Sequence, residues 1–368
     1  MPLANSQRYI SRIVSKDVSG MRAVDFFCGA GGMSCGLQLA GIRVLGGVDN
    51  SLDCAKTYIA NITGAKYIKH DIRTLSAPEL GRRLGIEKGD PDLLFAGCSP
   101  CQFWSKIRTD KTKSKLTAQL LRHFEKFIRY FSPGFVVIEN VPGLYRRTGD
   151  SVLPQFLDFL SRLGYAWADG VVNANHFGVP QNRMRYLLIA SRLSEAITLP
   201  EPEIGAGLTV SSYIGVANKF ERIAAGHRDN TPLRHTAASL SEKNLQRIAL
   251  TAKSGGTRSG WGSDPKLQIP AYKGKDDIFR DVYGRMSWDK PAPTITTRFN
   301  SLSNGRFGHP DEDRAISIRE GAVLQTFPRD YQFCITGCNA VARHIGNAVP
   351  PEMARRIGAH VLALRANA

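Results

Sequence analysis

A cysteine behind a proline and a glutamate closing an apolar run carry the most chemistry in this 368-residue chain. Cys101 stands in Gly97-Cys98-Ser99-Pro100-Cys101-Gln102-Phe103-Trp104-Ser105, just after the apolar stretch Leu93-Leu94-Phe95. Glu139 ends a second apolar run, Phe135-Val136-Val137-Ile138, and is followed by Asn140 and Val141. A thiol and a carboxylate, each carried off the end of a buried strand, form a nucleophile and an acid. Such a pair suits covalent attack on an electron-poor ring beside a nitrogen that needs a proton. Two other readings of the thiol stand beside this one: an inert buried cysteine, or a redox dithiol formed by Cys98-x-x-Cys101. Against both, Pro100 stiffens the approach and the polar run 102–105 reads as a loop that closes on a ligand.

Upstream, Asp25-Phe26-Phe27-Cys28-Gly29-Ala30-Gly31-Gly32 leads from an expected strand at 22–27 into an expected helix at 33–40. Glycines at such a turn let the backbone approach a ligand closely. Asp49 ends the next expected strand, placed to accept hydrogen bonds from ribose hydroxyls, and Asp71 ends a third strand-like segment in His70-Asp71-Ile72. A nucleotide-like cofactor fits this order. The glycines run Gly29-x-Gly31-Gly32 with Gly36 further on, which does not meet the dinucleotide spacing G-x-G-x-x-G. A methyl donor without a phosphate asks only for an apolar ledge and carboxylates, although the turn alone does not separate it from a nicotinamide cofactor. Downstream, in Gln181-Asn182-Arg183-Met184-Arg185, two arginines precede an expected strand at 186–190. Period-two alternation puts them on one side, either as a guanidinium fork for a carbonyl or phosphate or as a paired surface face.

The elements that must hold these residues follow from the pattern of apolar runs. Expected strands at 22–27, 44–48, 66–68, 93–95, 135–138 and 186–190 alternate with helical stretches such as 116–131 and 153–163. Strand and helix in alternation, with buried-looking strands, predict a doubly wound α/β sheet whose ligands bind at the carboxyl ends of the strands. The character changes near Pro200, where Gly, Ser, Thr, Lys and Arg take over, and helical periodicity returns after Asp311 at 318–326 and 351–364. The expected organisation is a first domain of residues 1–190 plus 311–368, with a smaller basic domain, 191–310, inserted into it.

The chain carries 49 Lys+Arg against 32 Asp+Glu, a formal charge of +17 that favours a polyanionic partner, nucleic acid before a membrane. No apolar run approaches the length of a bilayer span, and residues 1–20 lack the apolar core of a secretory signal. Seven cysteines, an odd number scattered along the chain, indicate reduced thiols in a cytosolic setting. Neither their spacing nor that of the histidines supplies a zinc site, so no metal is expected.

Taken in order, these motifs resemble the DNA (cytosine-5)-methyltransferases of bacterial restriction–modification systems. Asp25 to Gly32 is similar to that family's cofactor loop, Pro100-Cys101-Gln102 to its catalytic loop, and Glu139-Asn140-Val141 to its Glu-Asn-Val motif. Gln181-x-Arg183-x-Arg185 resembles its Gln-x-Arg-x-Arg, the run from Arg319 and Glu320 to Phe327-Pro328 its penultimate motif, and Ile345-Gly346-Asn347-Ala348-Val349-Pro350 its last. Cys98-Ser99 departs from the usual residues before Pro-Cys-Gln, and Gly321 stands where many members have alanine.

The resemblance implies a Rossmann-like, S-adenosylmethionine-dependent domain with an inserted target-recognition domain. It also implies a covalent mechanism. Cys101 would add to carbon 6 of a cytosine flipped out of duplex DNA, Glu139 would protonate ring nitrogen 3, and Arg185, supported by Arg183, would hold the carbonyl at position 2. Phe27 would stack on adenine, Asp49 would bind the ribose, Asp71 and Ile72 would flank the adenine, and Asn347 and Val349 would close the cofactor pocket beside Gly29, Gly31 and Gly32. Ser105, Thr294 and Ile295 are expected on the DNA side, with Arg258, Arg285 and Arg298 as candidate base readers. The expected protein is a cytoplasmic, nucleoid-associated prokaryotic monomer, acting on double-stranded DNA apart from any cognate restriction endonuclease. One branch of the family acts on transfer RNA, which makes RNA the alternative substrate.

Overall fold

The computed structural model describes residues 20–98, 120–145, 152–203, 207–273 and 281–368. Cys101 and Ser105 lie outside them. By compactness the described chain forms two units: one drawn from 1–173, 184–202 and 348–368, the other from 174–183 and 203–347.

The first unit is a seven-stranded sheet between helices. Its strands are β1 (Arg22–Phe26), β2 (Arg43–Asp49), β3 (Lys66–Lys69), β4 (Leu93–Gly97), β5 (Phe135–Asn140), β6 (Ala166–Asn173) and β8 (Met184–Ser191), in the order β3-β2-β1-β4-β5-β8-β6. The first five run parallel, and β8 is antiparallel to both β5 and β6. The order reverses between β1 and β4, which makes their carboxyl ends the binding crevice of such a sheet. The central strands β4 and β5 are buried along their whole length, as strands covered on both faces must be.

Helices α1 (Gly32–Leu39), α2 (Ala55–Asn61), α3 (Ala77–Leu84), α4 (Leu120–Phe131), α5 (Leu153–Arg162) and α9 (Pro351–Ala366) also belong to this unit. In α4 the buried residues Leu121, Phe124, Phe127, Ile128 and Phe131 recur at helical spacing, and Phe124 meets Phe26 of β1 edge-on at 4.9 Å. Local chemistry sets the ends of α3. The Ser76 hydroxyl accepts the Glu79 N–H, Pro78 stands in the first turn, and Gly85 closes the helix in the left-handed conformation. Strand β6 was absent from the sequence expectation. It is an edge strand, half-exposed for most of its length, and Asp169-Gly170 interrupts its apolar alternation, so it lacks a buried strand's signature.

The second unit has little regular structure: α6 (Glu242–Leu250), α7 (Ile318–Leu324), α8 (Cys338–Asn347) and a two-stranded parallel pair, β7 (Gln181–Asn182) with β9 (Ala292–Pro293). The helical period that returns after Asp311 is present in α7 and α9, yet α7 groups with this unit and only residues from 348 onward, α9 among them, join the sheet. The expected boundary at 311 is therefore not where the compact units divide. Periodicity reports a helix with an apolar face; it does not report which core that face enters.

Candidate active site at the carboxyl ends of the strands

The turn after β1 is built from backbone strain and close approach. Phe27 takes φ 62, unusual for a residue with a side chain, while its N–H donates to Val48 O at 2.7 Å. Gly29 and Gly31 follow with φ 51 and 92, and Gly31 is the N-cap of α1. Among the described residues a Cβ on Gly29 would meet nothing within 4 Å, so the turn is open to them there. A Cβ on Gly32 would lie 2.3 Å from Val349 O, so this glycine lets the segment entering α9 pack on the turn. The Val349 carbonyl thus packs against the glycine turn.

Three acids organise this half of the sheet. Asp49 receives the Gly29 N–H on Oδ2 at 2.9 Å and the Ser51 N–H on Oδ1 at 2.8 Å, which ties the ends of β1 and β2 together. Asp71 receives Arg73 through its backbone N–H at 2.9 Å and through its guanidinium, with Nη2 at 2.5 Å from Oδ2. Hydrogen bonds from the Arg73 side chain lower its pKa to about 2. Asp25 is fully buried, and its Oδ2 accepts Ser34 N–H at 3.1 Å and Ser34 Oγ–H at 2.6 Å. Its Oδ1 has no hydrogen-bond partner among the described residues, and burial raises its pKa to about 7. Sequence reasoning quoted Asp25 as the first residue of the loop but gave it no role. The signal was available: a carboxylate as the penultimate residue of a buried strand must either work or be satisfied.

Glu139 is 6% exposed at the end of β5. The antiparallel register pairs it with Leu187, so Arg185, two residues earlier on β8, is its diagonal neighbour on the same face. Arg185 Nε lies 3.0 Å from Glu139 Oε1 as an ion pair, but off line, and Oε1 has no hydrogen bond among the described residues. Arg185 Nη1 donates to Met184 O at 2.7 Å. Cys98 flanks the same carboxylate. Burial, reinforced by the charges of Glu139 and Asp25, pushes its thiol well up, and the Glu139 N–H points at its sulfur.

The guanidinium fork expected of Arg183 and Arg185 is not formed. Arg183 precedes β8 and is 2% exposed in the second unit, where it donates to Ile295 O and Gly346 O, each at 3.0 Å. Gln181 joins it, accepting the Ile295 N–H at 3.0 Å and donating to Leu324 O at 3.0 Å. The Thr294 hydroxyl donates to Asn182 O at 2.6 Å, and Ile295 is fully buried. Parity of position thus put Arg183 and Arg185 on one face only on paper, because β7 ends at Asn182 and β8 begins at Met184, which leaves Arg183 outside the strand that carries Arg185. Gln181 and Arg183 bind a turn, and Arg185 alone meets the acid. Ile295 offers no surface to a nucleic acid, and Asn347 is exposed at the end of α8.

Two of the candidate base readers are also buried. Arg285 donates to the carbonyls of Ile248, Thr251, His309 and Glu312, and Arg258 lies over the Tyr272 ring at 4.5 Å. Arg298 is exposed. Among the described residues His309, Glu312 and Glu320 are close enough to hold a metal ion. Arg314 already fills that place, bidentate on Glu320 at 2.7 and 2.8 Å.

The carboxyl ends of the strands thus carry acids beside the glycine turn after β1 and an acid–guanidinium pair on β5 and β8. Residues 21–363 match the family described as C-5 cytosine-specific DNA methylase. The chain belongs to this family. The type II methylase M.HgiDII of Herpetosiphon aurantiacus is 37% identical to it over 339 residues, 91% of this chain and 93% of that one. The type II methyltransferase M1.HphI of Haemophilus parahaemolyticus is 31% identical over 352 residues, 94% and 87% of the two chains. Among solved structures, one of a DNA modification methyltransferase encoded within an E. coli prophage matches with a TM-score of 0.72 at 21% identity, covering 94% of this chain and 99% of that one, which shows the fold. Membership and fold imply S-adenosylmethionine as the methyl donor of this DNA methylase. No helix among its described residues is long and apolar enough to cross a membrane.

Proposed function

We propose that the protein transfers a methyl group to carbon 5 of one cytosine in a specific duplex sequence, with the base flipped out of the helix and bound covalently to Cys101. The observation that carries this reading is the Glu139–Arg185 pair, buried at the end of β5, next to the strand β4 that leads into Cys101. Carbon 5 of cytosine is a poor nucleophile. Addition of the Cys101 thiolate to carbon 6, with a proton from Glu139 to ring nitrogen 3, turns the ring into an enamine that is a good one. Arg185, paired with Glu139, would face the same base edge and hold the carbonyl at position 2 while keeping Glu139 in place. Transfer of the methyl group is followed by loss of the carbon 5 proton to water, which expels the thiolate, and return of the nitrogen 3 proton to Glu139 restores the ring.

S-adenosylmethionine, when bound, supplies an electrophilic methyl group. The open turn at Gly29, the Asp49 carboxylate bridging β1 and β2, and Asp71 beside Ile72 fit its adenosine, with Phe27 as the apolar ledge. Residues of the second unit would read the DNA, and the exposed Arg298 is the remaining candidate there. The resemblance to type II methylases supports a role in protecting DNA from a cognate restriction enzyme, with the protein acting as a monomer in a prokaryotic cytoplasm, close to the nucleoid.

Bisulfite sequencing of DNA from cells expressing the chain tests activity and target together. Methylated cytosine at one recurrent sequence is expected, and it should vanish with Cys101→Ser. Glu139→Gln is expected to lower the rate by about two to four orders of magnitude while DNA binding persists. Duplex DNA carrying 5-fluorocytosine at the target should trap an adduct on Cys101. Full turnover by Cys101→Ser, or methylation of RNA in place of DNA, would overturn the reading.

A further inference from the structure

We propose that Arg73 and Lys126 are positioning residues of the cofactor pocket, which together hold the turn at Asp71 and Ile72 in the form that reads the amino group of adenine. The inference rests on the cofactor assignment above.

The turn after β3 is held from two sides. From within, Asp71 O accepts the N–H groups of Thr74 at 3.1 Å and Leu75 at 2.9 Å, which fixes the backbone. The Asp71 carboxylate takes the Arg73 backbone N–H at 2.9 Å, its Nε at 3.0 Å and its Nη2 at 2.5 Å. Backbone and side-chain donors of one residue, all on one carboxylate, set both of its torsions. From outside, Lys126 of α4 donates to Ile72 O at 2.5 Å and Arg73 O at 3.3 Å. Desolvating an ammonium is costly, and burial lowers the pKa of this one. Its two bonds go to consecutive carbonyls of this turn, so its site of action is the turn itself.

The adenine amino group is a donor and needs an acceptor. A carboxylate kept ionised by a guanidinium and fixed in direction is a strong one. Arg73 pairs with Asp71, and the Asp71 side chain nevertheless remains 29% exposed. An ordinary surface ion pair would contribute little to stability and nothing to ligand choice. Discrimination between ligands therefore separates the two roles.

The test is calorimetric titration of the full chain and its variants with S-adenosylhomocysteine and with S-inosylhomocysteine, which carries a carbonyl in place of the amino group. The unaltered protein is expected to prefer the adenine form by about tenfold or more. Arg73→Ala should weaken the adenine form by about five- to tenfold and the inosine form by less than about twofold. Arg73→Lys should restore part of the difference, and Lys126→Met should shift it in the same direction by less. Equal weakening of both ligands, or none, overturns the proposal even if the variants bind. Failure of the unaltered protein to bind S-adenosylhomocysteine would instead overturn the cofactor assignment, and the proposal with it. Thermal unfolding without ligand identifies a variant that has lost its fold, in which case Arg73→Gln carries the same comparison.

Discussion

Among the described residues, the buried ionic groups of the sheet-built unit include acids at strand ends with hydrogen-bonding capacity left over, whereas those of the second unit include guanidiniums held by carbonyls and carboxylates. Asp25 Oδ1 and Glu139 Oε1 belong to the first kind. Arg285, held by the carbonyls of Ile248, Thr251, His309 and Glu312, and Arg314, bidentate on Glu320, belong to the second. The difference follows from how each unit satisfies its backbone. A seven-stranded ladder pairs N–H with C=O within the sheet, and its buried acids are left for ligands. A unit of loops and short helices has carbonyls with no ladder, and arginine, with several donors in a planar array, supplies them. A buried charge with a full set of partners is scaffold, and one with an unused lone pair is a candidate for chemistry.

The comparison breaks most readily at Arg314. Replacing it with methionine leaves Glu320 buried without its counter-ion and should cost about 3–5 kcal/mol of stability, read from urea unfolding. A loss below about 1 kcal/mol would show that the second unit does not depend on its guanidiniums. Adding Glu320→Gln to that variant should recover part of the loss, because the stranded charge is removed.

A smaller effect is expected at Asp25, with the opposite dependence on its charge. Its raised pKa means that the folded chain retains a proton which the unfolded chain releases. Stability from this group is complete below about pH 4 and is lost as pH rises to about 7. Asp25→Asn should therefore be more stable than the parent at pH 8 and no more stable at pH 4, by at most a few kcal/mol, as seen in paired melting curves. Equal shifts at both pH values would show that the carboxyl is not titrating. Smallest of all, Arg162→Ala removes the exposed pair with Asp158 and should change stability by less than about 0.5 kcal/mol.

The parts of the site that could be read from sequence are those set by local order: a glycine turn after an apolar run, and an acid at a strand end. Glu139, Asp49 and the turn at Gly29 to Gly32 were legible in this way, and each stands at the strand end where it was expected. The pairing of Arg183 with Arg185 was not legible. Period-two reasoning assumes one continuous strand, and here the chain passes from one unit to the other between them. Nor did the sequence distinguish Arg285 from a surface reader, since a buried arginine and an exposed one look alike until their carbonyl partners are known.

By itself, the sequence determined the alternating α/β pattern, the order of the motifs and the residue types able to do the chemistry, because helix and strand periods and turn residues are local properties. Tertiary structure decided the rest. An antiparallel β8 brings Arg185 to Glu139, the Val349 carbonyl requires glycine at position 32, and Arg73 and Lys126 converge on one turn from different elements. Each of these depends on how far apart in the chain two partners can be and still meet, which no local pattern records.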